Sequence, residues 1–132
     1  MIILGIHDGH NCGASLCHNG KIVYSILEER ITRIKNDVGF PKNAILSCLR
    51  AYGIKNSQID YVVYSSKFMH SSNHLSDPGS WYKLSLSDQL SDSKKPKKYQ
   101  KIIFVQRTKE RKDSIKKIIK INKDKILFYD HH

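Results

Sequence analysis

Three short apolar runs at the start of the chain constrain its fold more than any other feature. They cover residues 1–6, 14–17 and 22–27, and each leads into small, polar or charged residues. Asn19-Gly20 separates the last two runs and favours a tight hairpin, because a type I′ turn needs positive φ at both central residues. The opening therefore predicts three strands whose ends carry His, Asp, Glu and Arg side chains.

A helix and a fourth strand follow these three strands. Pro41 suits the first helical position, because its missing N–H would have no partner there. Gly53 is typical of a helix stop. Between Pro41 and Gly53, apolar residues recur at helical spacing: Ala44, Ile45, Cys48, Leu49 and Tyr52. Residues 61–64 are β-branched or aromatic and predict a strand. The residues alone thus predict the order βββαβ and an α/β fold.

The length of 132 residues suits one domain. We divide it into a core over 1–64, a serine-rich loop or insertion over 65–95, and a helix with a final strand over 96–132. His70 and His74 have a spacing that can place two metal ligands on one helix face, but the serines around them favour a surface loop. The ending Asp130-His131-His132 suggests an incomplete unit, and a purification-tag remnant is the alternative.

Net charge is +11, and the basic excess is concentrated between Lys94 and Lys125. Such a segment makes a nucleic-acid partner worth considering. Lysine greatly exceeds arginine there, which favours a solvated face over planar recognition of phosphates or bases. We therefore rank nucleic-acid binding below the other interpretations. No apolar run is long enough to suggest a signal peptide or a membrane span.

The three cysteines, Cys12, Cys17 and Cys48, are odd in number and lack the spacing of a metal site. This pattern favours a reducing cytoplasm. Cys12 lies beside His10 and Asn11, so a nucleophilic role is one interpretation. A small buried residue on a crowded turn is the interpretation we favour, since nothing else nearby marks a thiolate site.

Several separated motifs, in order, resemble the N-terminus of the O-carbamoyltransferase family, which includes the nodulation-factor and antibiotic carbamoyltransferases. The similarity is dense over residues 2–53 and returns at the last strand. The motifs are Leu4-Gly5-Ile6, His10-Asn11, Asn19-Gly20-Lys21-Ile22-Val23, Glu28 to Lys35, Gly39-Phe40-Pro41 and Tyr129-Asp130-His131-His132.

The resemblance implies half of a fold of the actin, sugar kinase and Hsp70 type, a ribonuclease H-like mixed sheet of βββαβα order. It also implies an activity: carbamoyl phosphate and ATP give carbamoyl adenylate in a separate C-terminal domain, and the carbamoyl group passes to a hydroxyl of a small molecule or sugar. A divalent metal, usually iron, lies near the nucleotide. We expect this chain to be an N-terminal fragment that needs the remainder of the enzyme, is inactive alone, and can also pair as a homodimer.

Carried over by position, His10 is a candidate general base, since an imidazole accepts a proton near neutral pH. Asn11, the second candidate catalytic residue, stands where the family has aspartate, which puts activity in question. Asp8, a candidate substrate-binding residue, could substitute for that carboxylate. His131 matches the first metal-ligand position. The charged motif would bind carbamoyl adenylate, with ion pairing between sheet and loop as the alternative: Glu29, Arg30, Arg33 and Lys35.

A non-catalytic role is a further interpretation. Because Asn11 breaks the motif and a lone His131 does not hold a metal, the chain could be a half-domain that only binds other parts of a protein. The tRNA threonylcarbamoyl transferases share the implied fold, but Glu28 to Lys35 favours the small-molecule branch.

Overall fold

The computed structural model describes residues 1–9, 11–66 and 108–129, and all statements below refer to these. The strands are β1 (Ile2–His7), β2 (Gly13–His18), β3 (Lys21–Leu27), β4 (Tyr61–Tyr64) and β5 (Ile126–Phe128). The helices are α1 (Glu29–Thr32), α2 (Lys42–Ala51) and α3, described over 108–116.

The five strands form one mixed sheet in the order β3-β2-β1-β4-β5. β2 is antiparallel to both β1 and β3, whereas β4 is parallel to β1 and to β5. Four strands therefore run in one direction and end at the same edge, which we call the carboxyl edge. The predicted α/β class, the mixed sheet and the βββαβ order are confirmed.

One face of the sheet carries the core. Alternate strand residues point to it, since side chains alternate between the two faces of a strand, and they meet apolar residues of α2 and α3. The fully buried members include Leu4, Leu16, Ile45, Cys48, Val62, Tyr64, Ile115 and Ile119. The core thus joins the helix predicted after Pro41 to a helix from the lysine-rich segment.

The other face is lined by small residues. Gly5 packs so closely on β2 that a Cβ there would lie 2.7 Å from Ser15 Oγ. Ser15 and Ser25 continue this surface across β2 and β3, and Val63 extends it onto β4. Together with His7 and Ser65 they line a depression of about 320 Å³.

The predicted turns are present. Asn19 and Gly20 both have positive φ, 49° and 79°, as the Asn-Gly hairpin requires. α2 begins at Lys42, directly after Pro41, and Gly53 follows its end with φ of 63°. The insertion predicted over 65–95 lies almost wholly outside the described residues, as do His70 and His74.

Candidate functional site

Polar residues collect where strands end at the carboxyl edge. Asp8 follows β1, Glu28 follows β3, and Ser65-Ser66 follows β4. The loop from Asp8 to Cys12 connects β1 to β2 at the same edge. Open sheets place ligands beyond the carboxyl ends of their strands, so this edge is the candidate site.

A buried ion pair lies at the centre of this edge. Arg111 Nε donates to Asp8 Oδ2 at 2.7 Å, and Nη2 donates to Asp8 Oδ1 at 2.8 Å. Nη2 also donates to the carbonyl oxygen of Ser66 at 2.9 Å. Asp8 is 3% exposed and Arg111 4%. Such two-pronged contacts are the strong, directional form of the arginine–carboxylate bond.

Two aromatic rings contact the same guanidinium. Its carbon lies 4.5 Å from the ring centre of Tyr64 and 4.7 Å from that of Phe128. Tyr64 also donates its hydroxyl hydrogen to the carbonyl oxygen of Arg111 at 3.0 Å. Burial raises the pKa of the Asp8 carboxyl, while the Arg111 charge and hydrogen bonds act in the opposite direction. Arg111 therefore ties α3 to the ends of β1, β4 and β5.

The loop after β1 is anchored on both sides of His10, which itself lies outside the described residues. Gly39 N–H donates to the Gly9 carbonyl at 3.3 Å, and Cys12 N–H donates to the Asp37 carbonyl at 3.0 Å. Between these contacts, Asn11 has φ of 54°, a left-handed conformation that asparagine tolerates better than most residues. Asparagine is therefore sterically suited to this position.

Glu28 is a structural residue that the sequence analysis did not single out. Its carboxylate accepts hydrogen bonds from the backbone N–H of Asn43 at 3.0 Å and of Ala44 at 2.7 Å, and from Asn43 Nδ2 at 2.7 Å. Its own N–H donates to the Cys12 carbonyl at 2.8 Å. Glu28 thus caps the first turn of α2, where a negative charge is favourable, and joins it to the loop after β1.

Replacing Glu28 by alanine is expected to lower the free energy of unfolding by about 2–3 kcal/mol, because two N–H groups of α2 lose their partner. Urea unfolding at neutral pH measures this change. Glu29→Ala is the matched control, since Glu29 is half-buried and accepts one hydrogen bond, from Asn36 N–H at 2.7 Å. Equal losses in the two variants would contradict a special role for Glu28.

The charged segment after β3 separates into two groups. Glu29 is held by the Asn36 backbone. Arg30, Arg33 and Lys35 are exposed. Asp37 is buried and accepts a hydrogen bond from Thr32 Oγ1 at 2.7 Å. Its carbonyl also accepts the Cys12 N–H, which links this segment to the loop after β1. Binding of carbamoyl adenylate by Glu29 and the three cations stays a prediction.

Cys12 and Cys48 have environments that disfavour a thiolate. Burial, together with the nearby carboxylates of Asp37 and Glu28, raises the pKa of the Cys12 thiol to about 12. Burial raises the pKa of the Cys48 thiol to about 11. A reactive cysteine needs a lowered pKa and access to solvent, so the interpretation of Cys12 as a small packed residue fits this geometry.

The structure adds three residues to those predicted. Arg111 lies in the lysine-rich segment and carried no spacing signal. Glu28 was part of the charged motif but was not distinguished from its neighbour. His7, at the end of β1, is within hydrogen-bond distance of Ser65, with 2.9 Å between Nδ1 and Oγ. Asp8, predicted to contact substrate, has both carboxylate oxygens bonded to Arg111; its role toward substrate stays a prediction.

The predicted metal ligand, His131, lies outside the described residues. Among residues 1–9, 11–66 and 108–129, no three His, Cys, Asp or Glu side chains are grouped closely enough to hold a metal ion. Binding of the implied iron therefore stays a prediction. In the same parts of the chain, every helix is too short or too polar to cross a bilayer.

Comparison of the sequence with known proteins identifies relatives that match part of this chain. Three curated relatives share about half of this chain: uncharacterized protein MJ1051 of Methanocaldococcus jannaschii, 40% identical over 67 residues; uncharacterized protein sll1178 of Synechocystis, 41% identical over 58; and nodulation protein NolNO of Sinorhizobium fredii, 36% identical over 59. The matches cover 51%, 44% and 45% of this chain but only 13%, 9% and 8% of the respective relatives.

A family model described as Carbamoyltransferase N-terminus matches residues 2–132. It spans the β1 loop, the charged segment after β3 and the last strand, which are the segments that carry the predicted motifs. The chain belongs to the carbamoyltransferase N-terminal family.

Proposed function

We propose that this chain forms the acceptor-binding side of an O-carbamoyltransferase. The observation that carries the proposal is the carboxyl edge, where the loop around His10 is anchored by backbone contacts and faces the same edge as the cationic segment after β3. Membership of the family supports this assignment. The acceptor is a hydroxyl of a small molecule or sugar, and the donor is carbamoyl adenylate, formed from carbamoyl phosphate and ATP by the remainder of the enzyme.

The proposed reaction is an acyl transfer. The His10 imidazole takes the proton of the acceptor hydroxyl while the hydroxyl oxygen bonds to the carbamoyl carbon. The bond from that carbon to the adenylate phosphate breaks, and AMP leaves with the electron pair. A carbamate ester forms, and the proton passes from the imidazole to solvent. In this proposal His10 is the catalytic base, and the neighbouring Asn11 would hydrogen-bond the acceptor.

Charge complementarity supports a place for the donor. Arg30, Arg33 and Lys35 are exposed cations that follow β3 at the carboxyl edge, and cations of this kind bind phosphate oxygens. Glu29, one residue before Arg30, would orient that segment through its bond to Asn36. We place the enzyme in the cytoplasm, where carbamoyl phosphate and ATP are available.

The test uses the polypeptide encoded by the complete reading frame to which residues 1–132 belong. It is incubated with ATP and carbamoyl phosphate labelled in the carbamoyl carbon, and with aldoses and N-acetylhexosamines as acceptor probes. The expected result is AMP formation that depends on carbamoyl phosphate, together with label in a sugar carbamate. Carbamoyl adenylate that forms without label reaching any hydroxyl compound would favour a non-catalytic interaction role for this half of the protein. Absence of both carbamoyl adenylate and AMP would contradict the proposal.

A further inference from the structure

We propose that Arg111 is a positioning residue for transfer, one that holds the start of the loop carrying His10 through its contact with Asp8. The inference rests on the proposed function for its kinetic test. Its structural basis is independent of that function, because it lies in contacts among residues of β1, β4, β5 and α3.

The Arg111 guanidinium contacts residues in or directly after three strands, β1, β4 and β5. Its edge meets the Asp8 carboxylate after β1 and the Ser66 carbonyl after β4, at distances of 2.7–2.9 Å. Its flat side lies against Tyr64 of β4 and Phe128 of β5, two rings stacked 4.9 Å apart. A side chain held in this way leaves little freedom to Asp8, its partner at the start of the loop.

Asp8 is only two residues from His10, and the far side of the loop is fixed as well. Cys12 is bonded through its N–H to Asp37 and through its carbonyl to Glu28. Both ends of the loop are therefore fixed by contacts, and the ion pair fixes one of them. A displacement of about 1 Å in a catalytic geometry can reduce a rate by about 10²-fold. A small shift of Asp8 would therefore be enough to lower the rate of transfer.

Arginine has a shape that lysine cannot reproduce here. The guanidinium bonds both carboxylate oxygens and a carbonyl at once and stacks on rings, whereas a lysine ammonium is a compact charge on a flexible stem. Arg111→Lys therefore keeps the positive charge opposite Asp8 and removes the fixed geometry. This variant separates positioning from charge.

The experiment compares wild type, Arg111→Lys and Ile119→Val in the complete polypeptide. Ile119 is fully buried in the same core, away from the carboxyl edge, so its loss of one methylene controls for general destabilisation. In Arg111→Lys we expect kcat for transfer to fall by about 10²-fold. KM for the acceptor should be unchanged, and carbamoyl adenylate should form at the wild-type rate in a single turnover without acceptor. Ile119→Val is expected to match wild type.

A second readout does not depend on catalysis. In the 132-residue chain, NMR resonances of the His10 imidazole, assigned by their loss in His10→Ala, are expected to shift in Arg111→Lys and to stay in place in Ile119→Val. A shift with no transfer in wild type would overturn the proposed function. It would still show that Arg111 positions the loop that carries His10. Unshifted resonances, unchanged kcat, or an equal loss of transfer in both variants would overturn the positioning role.

Discussion

Replacing Arg111 by methionine is expected to lower the free energy of unfolding by about 3–5 kcal/mol at neutral pH, the usual result of breaking a buried pair by removing one partner. The Asp8 carboxylate would remain buried without the guanidinium that now donates to both of its oxygens. The Ser66 carbonyl would lose a donor too. The stem of methionine would still fill much of the space against Tyr64 and Phe128.

The same variant is expected to be most destabilised at high pH. Burial already raises the pKa of Asp8, and the Arg111 charge and hydrogen bonds oppose that effect, so their removal raises the pKa further. A carboxyl group with a raised pKa in the folded state keeps its contribution to stability below the unfolded value, about 3.9, and loses it as pH rises through the folded pKa. The difference between wild type and variant should therefore shrink on acidification from pH 7 toward pH 4.

Urea unfolding at several pH values measures both effects, and the double variant Asp8→Leu, Arg111→Met is the control. Buried ion pairs can often be replaced by apolar residues of similar volume at little cost. The double variant should therefore recover most of the lost stability and show a weaker dependence on pH. A double variant as unstable as Arg111→Met would mean that lost packing, and not the unpaired carboxylate, causes the effect.

The sequence predicted the elements whose signals are local. Asn19-Gly20 predicts the hairpin between β2 and β3, and the spacing of Ala44, Ile45 and Cys48 predicts the buried face of α2. The Asp8–Arg111 pair has no such signal, because 103 positions separate its members and only the folded sheet brings α3 to the end of β1. Tertiary proximity of this kind does not follow from periodicity.

The adjacent carboxylates Glu28 and Glu29 illustrate a second limit. Both belong to the charged motif, and sequence reasoning assigned substrate contact to Glu29. The chain turns from β3 into α1 between them, so that Glu28 points to the first turn of α2 while Glu29 bonds the backbone of Asn36. A change of direction at one residue decides which side chain is buried, and composition does not reveal where that change falls.

Replacing His10 by alanine is expected to lower the rate of carbamoyl transfer by about 10²–10⁴-fold, the usual contribution of a general base, while adenylate formation continues. In wild type, transfer should also fall as pH drops below the ordinary pKa of an imidazole, about 6.5, because a protonated ring accepts no proton. That acid limb should be absent from the residual activity of His10→Ala. Added imidazole should restore part of the rate.

His18→Ala is the matched control for this prediction. His18 ends β2, which runs opposite to its neighbours, so it lies at the other edge of the sheet, where Nδ1 is 3.2 Å from Tyr52 Oη. Transfer and its pH profile should be unchanged in this variant. Transfer of labelled carbamoyl groups to the acceptor measures the transfer step, and labelled carbamoyl adenylate formed without acceptor measures the step before it. Undiminished transfer in His10→Ala would remove His10 from the mechanism, and a parallel loss of adenylate formation would place its effect in the fold and not in proton transfer.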